Sequence, residues 1–368
     1  DRASKRIVNM VQIGRALADN IGDDGAQLDP PIKSLFVYNS DLANCTPNSG
    51  NVRKGLMRDD VFISVHETFW TDTCMYADIV LPADTALERT DCHWAYGSWF
   101  LGINKPVIEP LGESINNTEL FRMLADKMGY VDSKDNAFTQ TDEEIIKDIL
   151  LEAENEDGER FNCLTEGINY DDVVKNGWAR ASTESKRRDF LNNGWPTPSG
   201  KIEIKCEAIT AEYPDVSPFP EYVPEINGQF DPKKSKYPIQ VLSSASHYFI
   251  GDSFQSVPRL QAMQSRPTVE ISIGDAKERG IEDGDLVRLY NDNGETYCYA
   301  VLINGLLEGV CATQKQFKGS NTPGGLNVNN LNSEMLTDFG KSPCFYSVLV
   351  EIEKASDEMM EKAIKQGA

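Results

Sequence analysis

The sequence predicts an α/β protein with a partial parallel sheet near its start and a closed, barrel-like β domain near its end. Three short apolar runs with helical connections in residues 35–82 predict parallel strands. From Tyr237 onward the chain is rich in short β-type runs, and Asn293-Gly294 between two alternating runs indicates a hairpin. Between these regions, helical and Pro-rich segments indicate a mixed α+β middle region.

Several elements have recognisable boundaries. Residues 7–22 show apolar spacing typical of a helix that ends at Gly22. The apolar runs at 35–38, 61–66 and 79–82 turn polar or reach Pro82, which predicts short strands. A capped helix is predicted over 116–130 and an acidic helix over 141–158. The acidic, Pro-rich segment 212–232 is predicted to be a domain linker.

Length and charge exclude some classes of function. The chain has 368 residues, enough for two or three domains. Its 58 acidic residues outnumber the 36 basic ones and give a net charge of -22, which argues against a nucleic-acid partner. No run of about 18 apolar residues is present, so no membrane span is expected. The start at Asp1, without an apolar leader, suggests a fragment or a processed chain.

Cysteine and histidine spacing gives no local metal signature. None of the eight cysteines forms a C-x-x-C pair, and the three histidines lack the spacing of zinc ligands. Cys298 and Cys311 lie in strand-like runs and are predicted to be small buried apolar residues. A reduced chain of cytoplasmic type follows from this usage.

The polar ends of the predicted strands are the first candidate site. Parallel sheets bind ligands beyond the carboxyl ends of their strands, here 39–41, 67–68 and 83–85. These ends are expected to share one edge. Two other interpretations stay open for the carboxylates Asp78 and Asp84, namely general acid and base groups of a hydrolase or a solvated rim. His93, Trp94, Tyr96 and Trp99 are expected to pack as a core cluster rather than to line a substrate funnel.

A family resemblance rests on several ordered motifs. The segment ETFWTDTCMYADIVLPADTALERTD resembles the pattern T-x-T-A-x-x-A-D-x-V-L-P-x-x-x-x-x-E of the dimethyl sulfoxide reductase family of molybdopterin oxidoreductases. Cys74 replaces the usual Ala of that pattern, and Ser40 replaces a Pro in the preceding loop. PTPSGKIEI, ASHYFIGDSF, PTVEISIGDAKERGIEDGDLVRLYNDNGE, VNNLN and VLVEIEK are similar to later segments of the family.

The resemblance covers nearly the whole chain but only the C-terminal half of such an enzyme. It implies a C-terminal six-stranded double-psi β-barrel. The implied domains are 1–90, the last part of an α/β nucleotide-binding domain; 91–235, the middle α+β region and linker; 236–355, the molybdopterin dinucleotide-binding barrel; and 356–368, a tail.

The implied cofactor is bis(molybdopterin guanine dinucleotide) with molybdenum or tungsten. An iron–sulfur cluster, if there is one, would belong to the missing N-terminal half, as would the protein ligand of the metal. No catalytic residue and no metal ligand is therefore assigned to this chain. The positions expected to contact or frame the cofactor are Asn39, Ser40, Asp41, Glu67, Thr68, Thr71, Thr73, Asp78, Ser246, His247, Gln314 and Asn329. A hydrogen bond that fixes the loop is the favoured role for Asp78.

The implied function is two-electron redox or oxygen-atom transfer on a small substrate, as in anaerobic respiration. The expected partners are the missing half or a complementary chain, and an iron–sulfur electron-transfer subunit. A non-catalytic cofactor-binding or partner-binding module is the alternative. The cytoplasm is the expected compartment, or the periplasm if an export signal precedes this segment.

Overall fold

The computed structural model describes residues 6–130, 138–150, 168, 170–180, 191, 193–315 and 317–367. The chain divides into two compact units. Residues 1–81 and 223–368 form the sheet–barrel unit, and residues 82–222 form the middle unit. The second boundary lies within the predicted linker. The units therefore change at 81/82 and 222/223, whereas the division by sequence falls at 90/91 and 235/236.

A three-stranded sheet in the order β1-β2-β3 opens the sheet–barrel unit. Strands β1 and β2 are parallel, with Ser34 opposite Phe62 and Tyr38 opposite His66. This pairing confirms the prediction of parallel strands for β1 and β2. Val37, Ile63 and Val65 are buried in the core of this part. The strands are β1 Ser34–Tyr38, β2 Phe62–Glu67 and β3 Ile79–Pro82. The helical segments of this part are Met10–Gln12, Ile13–Ala18, Leu42–Cys45, Ser49–Leu56 and Thr73–Tyr76.

The first helix is shorter than predicted. Helical structure covers Met10–Gln12 and Ile13–Ala18, and Asn20 then adopts a left-handed φ of 60°. The Arg15 guanidinium donates to the carbonyl oxygens of Gly22 and Asp23 at 2.8 and 2.9 Å. The chain therefore turns before Gly22, and the guanidinium binds the turn that apolar spacing alone assigned to the helix.

Six strands close into the C-terminal barrel in the order β10-β8-β11-β7-β12-β9. The pairs β7/β11 and β8/β10 are parallel and the other four pairs are antiparallel. This arrangement confirms the predicted six-stranded barrel. Its strands are β7 Ile239–Ser244, β8 Thr268–Ser272, β9 Leu286–Tyr290, β10 Glu295–Ile303, β11 Val310–Gln314 and β12 Leu349–Lys354. Helices Pro258–Gln264, Ile273–Glu278 and Asp357–Gly367 and short turns at Pro232–Ser235, Gly319–Asn321 and Val328–Leu331 accompany it.

The core of the barrel is formed by apolar residues at the inward-facing, alternate positions of its strands. Val269, Ile271 and Leu289 are fully buried. Cys298 and Cys311 lie in the same core, which confirms their predicted burial, and burial raises the pKa of the Cys298 thiol to about 12. The predicted hairpin at 293–294 joins β9 to β10 in antiparallel register.

The middle unit contains an antiparallel sheet in the order β4-β5-β6. Its predicted capped helix is confirmed, because the Asn116 side chain accepts from the Glu119 N–H at 2.7 Å and Gly129 closes the helix with a φ of 74°. The acidic helix is described over Asp142–Leu150, and the rest of that predicted segment lies outside the described residues. The strands are β4 Asp91–Trp94, β5 Phe100–Asn104 and β6 Trp178–Arg180, and the helices are Asn117–Met128, Asp142–Leu150, Tyr170–Asn176 and Glu207–Glu212.

The prediction of a packed aromatic cluster is wrong for most of its members. Only Trp94 packs against the core of the middle unit, where its indole N–H donates to the Ser98 carbonyl at 2.6 Å. Tyr96 and Trp99 are exposed because the turn between β4 and β5, with Gly97 at a φ of 71°, projects into solvent. His93 is exposed on β4.

Among the helices in the described part of the chain, none combines the length and the apolar character needed to cross a bilayer.

Candidate functional site at the strand ends

The carboxyl ends of β1 and β2 meet at one edge of the sheet. The Asn39 N–H donates to the His66 carbonyl at 3.3 Å, and a left-handed φ of 50° at Asn39 turns the chain away from β1. The Glu67 carboxylate accepts from the Thr68 N–H at 2.8 Å and also from the Ser40 N–H. Glu67 is therefore held across both strand ends, and burial raises the pKa of its carboxyl above the ordinary value.

Asp41 is fully engaged inside the protein. One of its oxygens accepts from the Thr73 N–H and hydroxyl at 3.1 and 2.6 Å, and the other accepts from the Asn44 amide at 2.7 Å. The Thr73 hydroxyl also accepts from the Ala43 N–H. Asp41 is 3% exposed and Thr73 is 0% exposed, so both side chains fix the loops that follow β1 and β2.

Asn44 connects these loops to the barrel. Its amide oxygen accepts from the Gly319 N–H at 2.9 Å and from Arg53 at 3.0 Å. Its backbone carbonyl accepts from the side-chain amides of Asn327 and Asn329. We call Asn44, Arg53, Asp72, Asn327 and Asn329 the polar lock. Their hydrogen bonds join the segments around the sheet to one another and to the loops of the barrel.

Asp72 completes the polar lock. Its carboxylate accepts from the Arg53 guanidinium and from the Ser320 N–H, each at 3.0 Å. Burial by itself would raise the pKa of Asp72, but the hydrogen bonds from Ser320 and the charge of Arg53 outweigh it and hold the pKa below the ordinary value. The Arg53–Asp72 pair is almost completely buried and is therefore structural.

A second group of polar residues consists of the buried Lys318 and the half-buried Glu67 and Asp252, and we call it the binding rim. Its polar groups are less completely satisfied than those of the polar lock. One carboxylate oxygen of Asp252 is buried without a hydrogen-bond partner among the described residues. Burial, with the charges of Asp41, Asp72 and Glu67, raises the pKa of Asp252 to about 7, although Lys318 acts in the opposite direction. Such groups are more frequent at functional sites than in structural cores.

Lys318 is 7% exposed and belongs to the loop that follows β11. Its ammonium donates to the Trp70 carbonyl at 3.1 Å and to the Ser256 hydroxyl at 3.0 Å. Its charge acts on both Glu67 and Asp252. The sheet loop and two barrel loops thus bring the three rim residues together.

Cys45 borders the binding rim but is not a reactive group. Burial raises the pKa of its thiol well above the usual range, and the charges of Asp252, Asp41 and Glu67 add to the effect. The thiol is therefore protonated at neutral pH.

The barrel residues predicted from the sequence differ in whether their polar atoms are already hydrogen-bonded within the protein. His247 is exposed and contacts the Tyr248 ring edge-on, while the Ser246 hydroxyl donates to the Gln264 side chain at 2.6 Å. The side-chain oxygen of Gln314 accepts from the Thr268 N–H at 2.9 Å, and its side-chain nitrogen donates to the Thr268 hydroxyl at 2.6 Å. Gln314 and Asn329 are therefore already engaged within the barrel and the polar lock.

The remaining predicted residues also have internal partners. Thr71 is buried, and its hydroxyl lies 3.4 Å from the Cys74 sulfur. The Asp78 carboxylate accepts from the Ile63 N–H at 2.7 Å and so fixes the entry to β3. In the middle unit Asp84 is paired with Arg89 at 2.8 Å. Neither Asp78 nor Asp84 is a free carboxylate of the kind that hydrolysis requires.

Within the described ranges, no group of three or more His, Cys, Asp or Glu residues is placed to hold a metal ion.

Three residues of the site, Asn44, Asp252 and Lys318, were not predicted from the sequence. Asp252 lies inside the quoted segment ASHYFIGDSF, and a lysine followed by glycine after β11 was the available signal for Lys318.

Comparison with known proteins agrees with this architecture. Residues 239–349 match the family described as molydopterin dinucleotide binding domain, and residues 20–127 match the family described as molybdopterin oxidoreductase. These ranges contain the strand ends of the sheet and five of the six barrel strands, and the first range ends where β12 begins. The chain belongs to the dimethyl sulfoxide reductase family of molybdopterin oxidoreductases.

Relatives in this family align with nearly the whole chain. The probable oxidoreductase YoaE of Bacillus subtilis is 34% identical over 95% of this chain and 47% of its own length. The dimethyl sulfoxide reductase DmsA of Escherichia coli is 28% identical over 92% of this chain and 44% of its own length. The dimethyl sulfoxide/trimethylamine N-oxide reductase of Rhodobacter capsulatus is 28% identical over 94% and 45%. The chain thus spans about half the length of these relatives.

A solved structure has the same fold. Acetylene hydratase from Pelobacter acetylenicus superposes with a TM-score of 0.71 over 94% of this chain and 46% of that chain, at 20% identity. The names of these proteins include both reductases and a hydratase, so the shared fold serves more than one reaction.

Proposed function

We propose that this chain is the C-terminal, cofactor-binding part of a molybdenum or tungsten oxidoreductase that holds bis(molybdopterin guanine dinucleotide). The observation that carries the proposal is the binding rim. It places partly satisfied, buried polar groups beside the carboxyl ends of two parallel strands, where open α/β sheets bind ligands.

Glu67 is the residue best placed to recognise a guanine base. Its carboxylate is oriented by the N–H groups of Thr68 and Ser40 and retains acceptor capacity. A guanine edge offers two adjacent N–H donors, and a carboxylate can accept both. Asn39 and Ser40 border the same edge, with Asn39 exposed and Ser40 half-buried. These positions fit a nucleotide ligand better than the fully engaged Asp41 or Thr73 does.

The donor set of the binding rim also fits the rest of a dinucleotide. Lys318 supplies a buried positive charge for anionic oxygens, and the unpartnered oxygen of Asp252 accepts a hydrogen bond. His247, exposed on the barrel, and Ser246 are the predicted pterin-side contacts. When bound, the metal of the cofactor supplies the two-electron or oxygen-atom-transfer chemistry.

The residues of this chain bind and orient the cofactor. The polar lock keeps the sheet loops and the barrel loops in fixed positions, so that the binding rim is formed before ligand arrives. Preorganised hydrogen-bonding groups reduce the entropy lost on binding.

We further propose that the protein ligand of the metal, and any iron–sulfur cluster, belong to a segment or chain outside residues 1–368. The basis is that the relatives are about twice as long as this chain. Strand β1 is an edge of its described sheet, and Tyr38 on it is 47% exposed, which leaves an edge for such a partner. An iron–sulfur electron-transfer subunit is the second proposed partner. The cytoplasm is the proposed compartment, since the seven cysteines in the described part are free thiols.

Metal and pterin analysis of the purified protein tests this proposal. The chain should be produced alone and together with its complementing half, under conditions that supply the cofactor. We expect pterin, guanine nucleotide and molybdenum or tungsten in the complemented protein, with dye-linked redox activity on a small substrate. Complemented protein without pterin and without activity would contradict the proposal and favour a non-catalytic module.

A matched pair of variants connects the result to the site. Glu67→Gln replaces one acceptor oxygen by a donor and should lower the guanine nucleotide content at least about tenfold, because hydrogen bonds to charged groups contribute about 1.5–3 kcal/mol. Glu270→Gln makes the same chemical change at an exposed barrel position and should leave the content unchanged.

A further inference from the structure

Within the part of the chain that the structure describes, the ammonium group of Lys318 is a buried cation without an ion-pair contact. Two part-buried arginines of the sheet–barrel unit do have such contacts: Arg53 pairs with Asp72, and Arg279 pairs with Glu351. Among the described residues, both hydrogen bonds of the Lys318 ammonium go to neutral oxygens, those of Trp70 and Ser256. An ammonium has three donors, so one remains for another acceptor.

The position of Lys318 is fixed by several elements. Its own N–H donates to the Gln255 side chain at 2.7 Å, and the next residue, Gly319, donates to Asn44. Long lysine side chains normally lose much rotamer freedom when they bind a ligand. Here that entropy is already lost in the folded protein, which favours binding.

The charged groups that act on the binding rim come from each element around it. Asp41 and Asp72 follow β1 and β2, and Glu67 ends β2. Arg53 neutralises Asp72, and the hydrogen bonds of Asn44 and Thr73 satisfy Asp41. Asp252 differs from these two groups, because one of its oxygens is buried without a hydrogen-bond partner among the described residues.

We propose that Lys318 binds a diphosphate anion at this edge and that Asp252 takes up a proton as the anion binds. This inference rests on the proposed function, because it assigns residues to the diphosphate of the same dinucleotide. The physical reason is charge balance: an anion beside Lys318 is repelled by an ionised Asp252 and accepts a hydrogen bond from a protonated one.

The titration of Asp252 makes the proton uptake measurable near neutral pH. Its pKa of about 7 leaves both forms populated, and a neighbouring anion raises the pKa further. Binding at pH 7 should therefore take up as much as about half a proton per ligand. Glu67 keeps the N–H donors of Ser40 and Thr68, so its carboxylate is stabilised in the ionised form relative to Asp252.

Isothermal titration calorimetry with inorganic pyrophosphate and with guanosine diphosphate tests the inference. Titrations at pH 7 in two buffers of different ionisation enthalpy give both affinity and proton uptake. We expect proton uptake with the wild-type chain, and at least about tenfold weaker binding of both probes by Lys318→Met. Lys277→Met removes an exposed lysine from the same barrel and should bind as the wild type does. Asp252→Asn should keep binding but lose most of the proton uptake.

Folding is checked by thermal unfolding of each variant. If Lys318→Met does not fold, Lys318→Gln keeps a donor for Trp70 and Ser256 without the charge and replaces it in the comparison. Unchanged affinity of the charge-removing variant, or proton release on wild-type binding, overturns the inference. Guanosine diphosphate binding that depends on Glu67 but not on Lys318 would overturn this inference alone. A wild-type chain that binds neither probe would overturn it as well, whereas the proposed function fails only if the complemented protein lacks pterin.

Discussion

The polar lock and the binding rim are neighbouring groups of buried and half-buried polar residues, but they differ in how their hydrogen bonds are satisfied. In the lock, Asn44 and Asp72 have protein partners on both the sheet side and the barrel side. In the rim, Asp252 has a buried oxygen without a partner, and Lys318 has no ion-pair contact within the described part of the chain. Satisfied buried groups stabilise a fold, whereas incompletely satisfied ones reduce its stability and are retained where a ligand completes them.

The largest loss of stability is expected when the buried ion pair of the lock is broken. Asp72→Ala leaves the Arg53 charge and the Ser320 N–H without their partner. We expect the free energy of unfolding to fall by about 3–5 kcal/mol, measured by urea denaturation at pH 7. Asp59→Ala, at an exposed position of the same unit, is the control. A loss of less than about 1 kcal/mol would show that the lock does not stabilise the unit.

Removal of the Asn44 amide should have the next largest effect. Asn44→Ala deprives the Gly319 N–H and the Asp41 carboxylate of a partner but keeps the backbone carbonyl that accepts from Asn327. We expect a loss of about 2–3 kcal/mol in the same denaturation experiment. Asn51→Ala removes an amide whose solvent-exposed hydrogen bond goes to Asp19 at 3.3 Å, and it should change stability by less than about 0.5 kcal/mol. Equal effects of both substitutions would contradict the assignment.

A rim substitution should act in the opposite direction and depend on pH. The pKa of Asp252 is raised from 3.8 to about 7, so the unfolded chain loses this proton first as pH rises. Wild-type stability should therefore decline between about pH 4 and 7 and remain lower above that range. The full pKa shift corresponds to roughly 4 kcal/mol, and solvent screening of this part-exposed carboxyl reduces it, so Asp252→Asn should be about 2 kcal/mol more stable than the wild type at pH 8 and equal to it at pH 4. The pKa of Glu67 is also raised, so its titration should add a decline of stability with rising pH in the same direction. Destabilisation at pH 8 would show that the ionised carboxylate has a partner.

The smallest effect is expected at Asp78. Its carboxylate accepts one hydrogen bond, from the Ile63 N–H, and the residue is otherwise exposed. Asp78→Ala should lower the free energy of unfolding by about 1 kcal/mol, and Asp78→Asn by less, because the amide oxygen can still accept. Neither substitution should alter guanosine diphosphate affinity. A loss of affinity with unchanged stability would instead place Asp78 among the ligand contacts.

Local sequence signals predicted the elements that depend on local physics. The apolar runs gave the parallel strands, Asn293-Gly294 gave the hairpin, and Gly129 gave the helix end. They also predicted the strand-end position of Glu67 and Asn39. Burial inside the middle unit was not predictable for the aromatic residues after β4, because a turn that projects outward has the same composition as one that packs.

The contacts that form the lock and the rim could not be predicted from local patterns. Asn44 bonds to Gly319, which lies 275 residues further along the chain, and Lys318 bonds to the carbonyl of Trp70. No periodicity reports such pairs, since they depend on how the barrel loops meet the sheet loops. For the same reason Asp41, Thr73 and Asn329, chosen as cofactor contacts by position, have their hydrogen bonds within the protein.

The most direct test of the account is the pterin and guanine nucleotide content of the complemented protein, measured for a rim variant beside the wild type. The double variant Glu67→Gln with Lys318→Met should lose the nucleotide at least about tenfold while it still unfolds in one cooperative transition. Full nucleotide content in that variant would contradict the assignment of the binding rim.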